Sequence, residues 1–163
     1  MRIFIASSGE RLNMAIEVGS WLEGMNVEPV LWNELEVFPL GAYTWDALID
    51  LSENVDAAIF IFGEDDQIWF RGESTMTVRD NVLLEYGLFS GKLSKANTIF
   101  LCDGRPKLAS DLEGITWGDI RKKNSVRIKL ENWINSIRAS NQKKVKGFKI
   151  TDLNDAFQIA LKN

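Results

Sequence analysis

Residues 56–63 read Asp-Ala-Ala-Ile-Phe-Ile-Phe-Gly, with nothing polar between Ala57 and Phe62. A strand wetted on one face alternates apolar with polar residues, so an unbroken apolar strand has to be covered on both faces. Strands of that kind belong to parallel sheets, whose crossover helices supply the cover. Further apolar runs occur at 2–6 (RIFIA), 27–32 (VEPVLW) and 97–102 (NTIFLC), with a short fifth candidate at 114–117 (GITW). Between them the apolar period changes to that of helices. Leu12, Ala15, Ile16, Gly19 and Leu22 form one such series, and Trp45, Leu48, Ile49 and Ser52 a second. A third helix runs from Thr77 to about Leu93, and Val126, Leu130, Trp133 and Ile137 mark the last. Ser7 with Glu10, and Thr77 with Asp80, have capping-box spacing, and Thr44 is placed to cap the second helix.

The alternation predicts an α/β domain with a parallel sheet, helices on both faces and right-handed crossovers. Ligands in such folds bind beyond the carboxyl ends of the strands, at the topological switch point. The segments leaving that edge are Ser-Ser-Gly-Glu (7–10), the loop after Trp32, a polar loop over 63–74 that carries Trp69 and Phe70, and Cys-Asp-Gly-Arg (102–105). The third helix starts from the same edge, so its first turn, Arg79-Asp80-Asn81, is expected to face the cleft with Glu85 just beneath.

Composition narrows the chemistry. The 163 residues suit one core-bearing domain, and none of them is histidine. That removes the commonest general base and zinc ligand. Cys102 is the single cysteine, which permits no internal disulfide and fits a reducing, cytoplasmic setting. The net charge of −4 gives no broad attraction for nucleic acid. The apolar runs are too short to cross a bilayer, and no signal region opens the chain, so no membrane partner is expected. Neither a Walker-type loop nor a dinucleotide glycine fingerprint occurs. After residue 140 the sequence changes character. A basic linker (Asn-Gln-Lys-Lys-Val-Lys-Gly-Phe-Lys, 141–149) leads to a short amphipathic helix over 151–162. Residues 1–140 are thus expected to be the domain, and 141–163 a linker and docking helix or the lead into a further domain.

Chemistry therefore rests on carboxylates, cations, hydroxyls, amides and aromatics. Glu85 interrupts the apolar stretch Val-Leu-Leu-Glu-Tyr-Gly-Leu-Phe (82–89). It is either on an ordinary solvated helix face or a carboxylate held in a cleft. Gly87 and Gly91 weaken the same helix by roughly 1 kcal/mol each against alanine, which a close approach of sheet or ligand would explain. Ser7 and Ser8 read as caps or site hydroxyls, Trp32 and Trp69 as core or stacking surfaces, Asp65 and Asp66 as loop charges or ribose ligands.

Taken together, RIFIASSGE, EPVLW, VDAAIFIFGEDD, RDNVLLEYGLFSGKL and SDLEGI resemble, in order and spacing over residues 2–120, a family of bacterial TIR-like domains. Members of that family are NAD⁺-cleaving effectors of anti-phage defence, often fused to STING or other cyclic-nucleotide sensor domains. The resemblance implies a flavodoxin-like TIR fold with a five-stranded parallel sheet in the order 2-1-3-4-5. It assigns catalysis to Glu85 and substrate contacts to Ser7, Ser8, Trp32, Asp65, Asp66, Arg79, Asp80 and Asn81. Gly63-Glu64 stands where many relatives have Thr-Pro, and Ala109 where they have proline. NAD⁺ is then a substrate, with neither cofactor nor metal implied. Self-association is expected through the loop 33–43, whose Phe38, Leu40 and Tyr43 are apolar. The alternatives are a nucleoside deoxyribosyltransferase-like enzyme and a non-catalytic TIR adaptor. A single-carboxylate mechanism without histidine predicts a rate roughly flat from about pH 6 to 8, with an acid limb that moves up if burial raises the Glu85 pKa.

Overall fold

A computed structural model describes residues 1–34, 44–112 and 118–147, with side chains to residue 142. The expected self-association residues Phe38, Leu40 and Tyr43, the candidate strand 114–117 and the helix at 151–162 lie outside the described residues. Two compact units are present, Met1–Lys129 and Leu130–Asn163.

The first unit is built on β1 (Arg2–Ser7), α1 (Leu12–Gly24), β2 (Glu28–Leu31), α2 (Thr44–Glu53) and β3 (Ala57–Gly63). It continues with a hairpin of β4 (Asp66–Phe70) and β5 (Glu73–Thr77), then α3 (Asp80–Leu93), β6 (Thr98–Asp103) and β7 (Gly118–Asp119). α4 (Lys123–Gly147) begins in this unit and runs into the second, where Leu130, Ile134 and Ile137 are buried. The parallel sheet has the order β2-β1-β3-β6-β7. With the hairpin set aside, this is the expected 2-1-3-4-5 order. β3 is the middle strand, pairing with β1 through Ile5↔Ile59 and with β6 through Phe60↔Phe100. All seven of its residues are buried.

The pleat sends alternate β3 side chains to opposite faces. On one face Phe60 and Phe62 join Phe4, Phe100 and Cys102 in a core closed by Leu48 of α2 and by Val82, Tyr86 and Phe89 of α3. The rings interlock. Phe89 stacks on Phe4 with centroids 4.8 Å apart and meets Phe60 edge-on at 5.7 Å. On the other face α1 packs through Gly19, where an added Cβ would make ordinary contact, 3.6 Å from Pro29 and 3.8 Å from Ile5. The first turn of α4 joins this face through Val126, which with Leu101 crowds Gly118.

Four expectations need correction. The polar loop 63–74 is largely the β4–β5 hairpin, a separate two-stranded sheet with Trp69 76% exposed. Asp65 N–H donates to Thr77 O, and Lys107 N–H donates to Met76 O, which anchors its base. The basic stretch after residue 140 stays helical to Gly147. Neither capping box forms. The residues preceding α1 and α3 are Arg11 and Arg79, without side-chain caps, and Thr77 Oγ1 donates instead to Lys107 O at 2.9 Å. Finally, Gly87 and Gly91 let no other described element approach, since nothing among the described residues lies within 4 Å of a Cβ at either position.

Phe89→Ala should destabilise the fold by about 3–5 kcal/mol, because losing a buried ring leaves a cavity between Phe4, stacked on it, and Phe60, edge-on to it. Leu84, 59% exposed on the same helix, should change stability by less than about 0.5 kcal/mol on replacement by alanine. Urea unfolding of the two variants checks the contrast, and equal losses would contradict the packing described.

Candidate active site

β1 leads into α1 and on to β2 at one side of the sheet, whereas β3 leads by way of α3 to β6 at the other. The crevice between the ends of β1 and β3 is the switch point, where an open sheet leaves room for a ligand. The first residues at its rim are Ser7 and Ser8, both buried. Ser7 Oγ donates to Ser8 O at 3.0 Å and accepts from the indole N–H of Trp32, also at 3.0 Å. The two residues assigned from opposite sides of the first crossover are thereby joined, and the Trp32 ring is held at the rim. Ser8 Oγ is buried without a hydrogen-bond partner.

A short 3-10 turn, Gly9–Arg11, follows. Arg11 reaches across the end of β3, its Nε 3.4 Å from Asp65 Oδ1 and its Nη1 3.2 Å from Asp103 Oδ2. The guanidinium lies against the backbone of Gly63, where any Cβ would collide with it. A side chain at the end of β3 would therefore require the Arg11 guanidinium to shift. The Asp65 side chain is only 1% exposed, and neither of its oxygens accepts a hydrogen bond. Burial pushes its pKa up, opposed first by the neighbouring Ser8 hydroxyl and then by the attraction of Arg11. Asp65 is thus an internal ion-pair partner in this structure, not an open hydroxyl ligand.

A second set of ion pairs runs alongside. Arg79 Nη2 donates to Glu10 Oε1 at 2.8 Å and lies 3.3 Å from Asp66 Oδ1. Backbone hydrogen bonding and Arg79 hold the Glu10 carboxyl below its ordinary value. Arg79 immediately precedes α3, so the start of that helix is tied to the turn after β1 and to the hairpin. Asp80 accepts the N–H of Asn81 at 2.7 Å, and the Asn81 side chain is exposed.

One turn further along α3, Glu85 is partly buried and has no hydrogen bond or ion pair to any described residue. Desolvation alone raises its pKa to about 7. A carboxylate with neither neighbouring cation nor donor is poorly stabilised in its charged form, and the proton is retained until near neutrality. Cys102 is no competing nucleophile, because burial, and secondarily Asp119, push its thiol to about 12. Among the described residues no group of histidine, cysteine or acidic side chains is placed to hold a metal ion.

The structure brings Ser7 to Trp32 and Asp66 to Arg79. It ties none of the other proposed site residues to Glu85. Sequence reading passed over Arg11, Glu10 and Asp103. The signal for Arg11 was present: a cation between an apolar strand and a helix, facing the acidic Asp65 and Asp103 at the ends of the next two strands inward.

Comparison with known proteins agrees with this architecture. The family model described as CAP12/Pycsar effector protein, TIR domain, matches residues 2–122. CD-NTase-associated protein 12 of Sphingobacterium faecium is 34% identical over 137 residues, covering 84% of this chain and 42% of that protein. Pycsar effector protein PaPycTIR of Pseudomonas aeruginosa is 37% identical over 117 residues, covering 70% of this chain and 37% of the relative. The chain thus spans about two fifths of the length of these curated relatives. The TIR domain of the Toll-related receptor TRR-2 from Hydra magnipapillata superposes with a TM-score of 0.60 at 17% identity, covering 83% of this chain and 97% of that one. A prokaryotic SEFIR domain gives 0.53 at 16% identity, covering 82% and 97% respectively. The sheet order and the match over residues 2–122 place this chain in the family of CAP12/Pycsar effector TIR domains.

Proposed function

We propose that the chain is the NAD⁺-cleaving part of an anti-phage effector, a hydrolase acting on the bond between nicotinamide and ribose. The observation that carries this reading is the unpartnered, desolvated carboxylate of Glu85 on the helix that starts at the switch-point edge. In NAD⁺ the nicotinamide is a pyridinium. When the bond from its nitrogen to C1′ breaks, the electron pair goes to nitrogen and nicotinamide leaves neutral, so no general acid is needed. Positive charge develops on the ribose as an oxocarbenium ion. A carboxylate stripped of water stabilises that cation more strongly than a solvated one. Water then adds at C1′ and gives up a proton, for which Glu85 with a pKa near 7 is a suitable acceptor. Histidine has no role to fill.

Trp32, oriented by Ser7, is available to stack on a planar ring of the substrate, and Asn81 to bind a ribose hydroxyl. Arg79 acts by holding the start of α3, and Asp65, Asp66 and Ser8 by shaping the rim. An adaptor that only self-associates has no use for a desolvated carboxylate, which favours the enzymatic reading. NAD⁺ is substrate and not cofactor. The greater length of the relatives fits a fused sensor of the cyclic-nucleotide type, with self-association through the loop 33–43 as the way in which such a sensor switches the domain on.

Glu85→Gln should reduce NAD⁺ cleavage by on the order of 10²–10³ or more, measured as nicotinamide released by the folded variant. It should also stabilise the protein at alkaline pH. The folded-state pKa of about 7 exceeds the ordinary 4.5, so the folded protein holds a proton that the unfolded chain gives up. Wild-type stability then falls as pH rises from about 4.5 to 7 and stays reduced above that. Glutamine removes the penalty, a gain of about 1–3 kcal/mol at pH 8 that vanishes below pH 4. A variant that keeps wild-type turnover would refute the assignment. Assembly is tested separately. Specific activity should rise with protein concentration in the wild type and not in Phe38→Asp, whose charge would oppose an apolar contact. Activity constant on dilution of a monomer would remove self-association from the account.

A further inference from the structure

Arg11 and the Trp32 indole are joined by an unbroken run of hydrogen bonds. Trp32 Nε1–H donates to Ser7 Oγ at 3.0 Å, and Ser7 Oγ donates to Ser8 O, also at 3.0 Å. The same carbonyl accepts the Arg11 backbone N–H at 3.1 Å. Trp32 N–H donates to Ile5 O at 3.1 Å, which ties the backbone of that residue to β1. A backbone bond does not set side-chain torsions, so the ring keeps a choice of orientation. It is partly buried against the core, and its single polar hydrogen selects the orientation it takes there by bonding to Ser7.

The turn that carries this run is short, and a side chain holds it to the sheet. Arg11 spans the ends of β3 and β6, through Asp65 at 3.4 Å and Asp103 at 3.2 Å. Glu10 gives the turn a second tie, through Arg79, to the start of α3, but both partners of that pair are more exposed than those of the Arg11 pairs. Exposed pairs hold geometry loosely, whereas a buried pair is costly to break. Burial of Arg11 with Asp65 adds little net stability, because desolvation offsets the attraction. What the pair supplies is a fixed separation between the turn after β1 and the end of β3. Those are the two sides of the switch-point crevice.

We propose that Arg11 is a positioning residue for substrate binding: by holding the turn after β1 to β3 and β6 it sets, through Ser8 O and Ser7 Oγ, the plane of the Trp32 ring on which a planar ring of the substrate stacks. The inference rests on the reading that NAD⁺ is the substrate. The Arg11 charge is engaged by Asp65 and Asp103, so the residue acts through Trp32 and needs no contact with NAD⁺. The path ends on the stacking surface and not on Glu85. A surface that holds a part of the substrate remote from the broken bond contributes equally to the bound ground state and the transition state. Its misplacement therefore raises KM and leaves kcat.

Steady-state NAD⁺ cleavage by the whole chain, at one protein concentration for all variants, tests it. Arg11→Gln should raise KM by about tenfold while kcat changes by less than about threefold. Arg11→Lys keeps the charge with fewer donors and should recover part of the loss. Ser7→Ala should raise KM to a similar degree, and Arg11→Gln/Ser7→Ala no further, because both changes act through one path to Trp32. An Arg11 that only stabilises the fold would instead lower the melting temperature and add its effect to that of Ser7→Ala. Arg11→Gln leaves Asp65 without its cation, and if that variant does not fold, Asp103→Asn decides the matter. It cuts one anchor at a partly exposed site and should raise KM by about threefold. Calorimetric titration of Glu85→Gln with NAD⁺, with and without Arg11→Gln, should show the same weakening without turnover. Absence of both cleavage and NAD⁺ binding would remove the hydrolase reading and this inference with it. Cleavage with KM unchanged in the Arg11 and Asp103 variants, a loss confined to kcat, or additive effects of Arg11→Gln and Ser7→Ala would overturn the inference alone.

Discussion

Everything in this fold follows from a central strand that has to be dry on both sides. β3 is buried along its whole length, so each face of the sheet needs helices, and parallel connections supply them. The interior is then filled by phenylalanine and isoleucine with no titratable group that reacts near neutrality. Chemistry is confined to the strand ends, where the backbone leaves the sheet and water can reach. The density of charged and hydroxyl side chains at the carboxyl edge, against their scarcity in the core, is the consequence.

At that edge the polar groups fall into two kinds. Arg11, Asp65 and Asp103, with Glu10, Asp66 and Arg79 beside them, are spent on one another. They lock the turn after β1 to the ends of β3 and β6 and to the start of α3. Buried and half-buried ion pairs are weak sources of net stability, but breaking one partner leaves a charge uncompensated, so they fix geometry well. Glu85 is of the other kind, charged only at the cost of desolvation and engaged with no described residue. A group kept in that state lowers stability, which natural sequences tolerate mainly where function requires it.

Much of this was legible from residue order alone. The apolar continuity of 57–62 and the change of period between strands and helices lead directly to the parallel sheet, while its order comes from the family resemblance. Glu85 stood out because a carboxylate amid Val82, Leu83, Leu84, Tyr86, Leu88 and Phe89 is costly unless partly wet. The hairpin was missed because β4 and β5 are exposed on both faces and show no alternation, and because Arg71 takes the positive φ of the turn beside Gly72. The false capping boxes share one cause. Ser7 and Thr77 have cap spacing, but tertiary partners take their hydroxyls: Ser7 by Trp32, Thr77 by Lys107 O. Arg11 escaped notice since its partners are distant in sequence and meet it only after the sheet is assembled.

The central claim is that Glu85 is a desolvated carboxylate which loses its proton near neutrality and is then the group that acts on NAD⁺. Carbon-13 NMR of glutamate-labelled protein, with the Glu85 side-chain carboxyl assigned by its absence in Glu85→Gln, measures this directly. The account predicts a titration midpoint at about pH 7, with NAD⁺ cleavage rising through the same midpoint to a plateau above it. A midpoint near the ordinary 4.5, with cleavage flat from pH 6 to 8, would show a solvated carboxylate and contradict it.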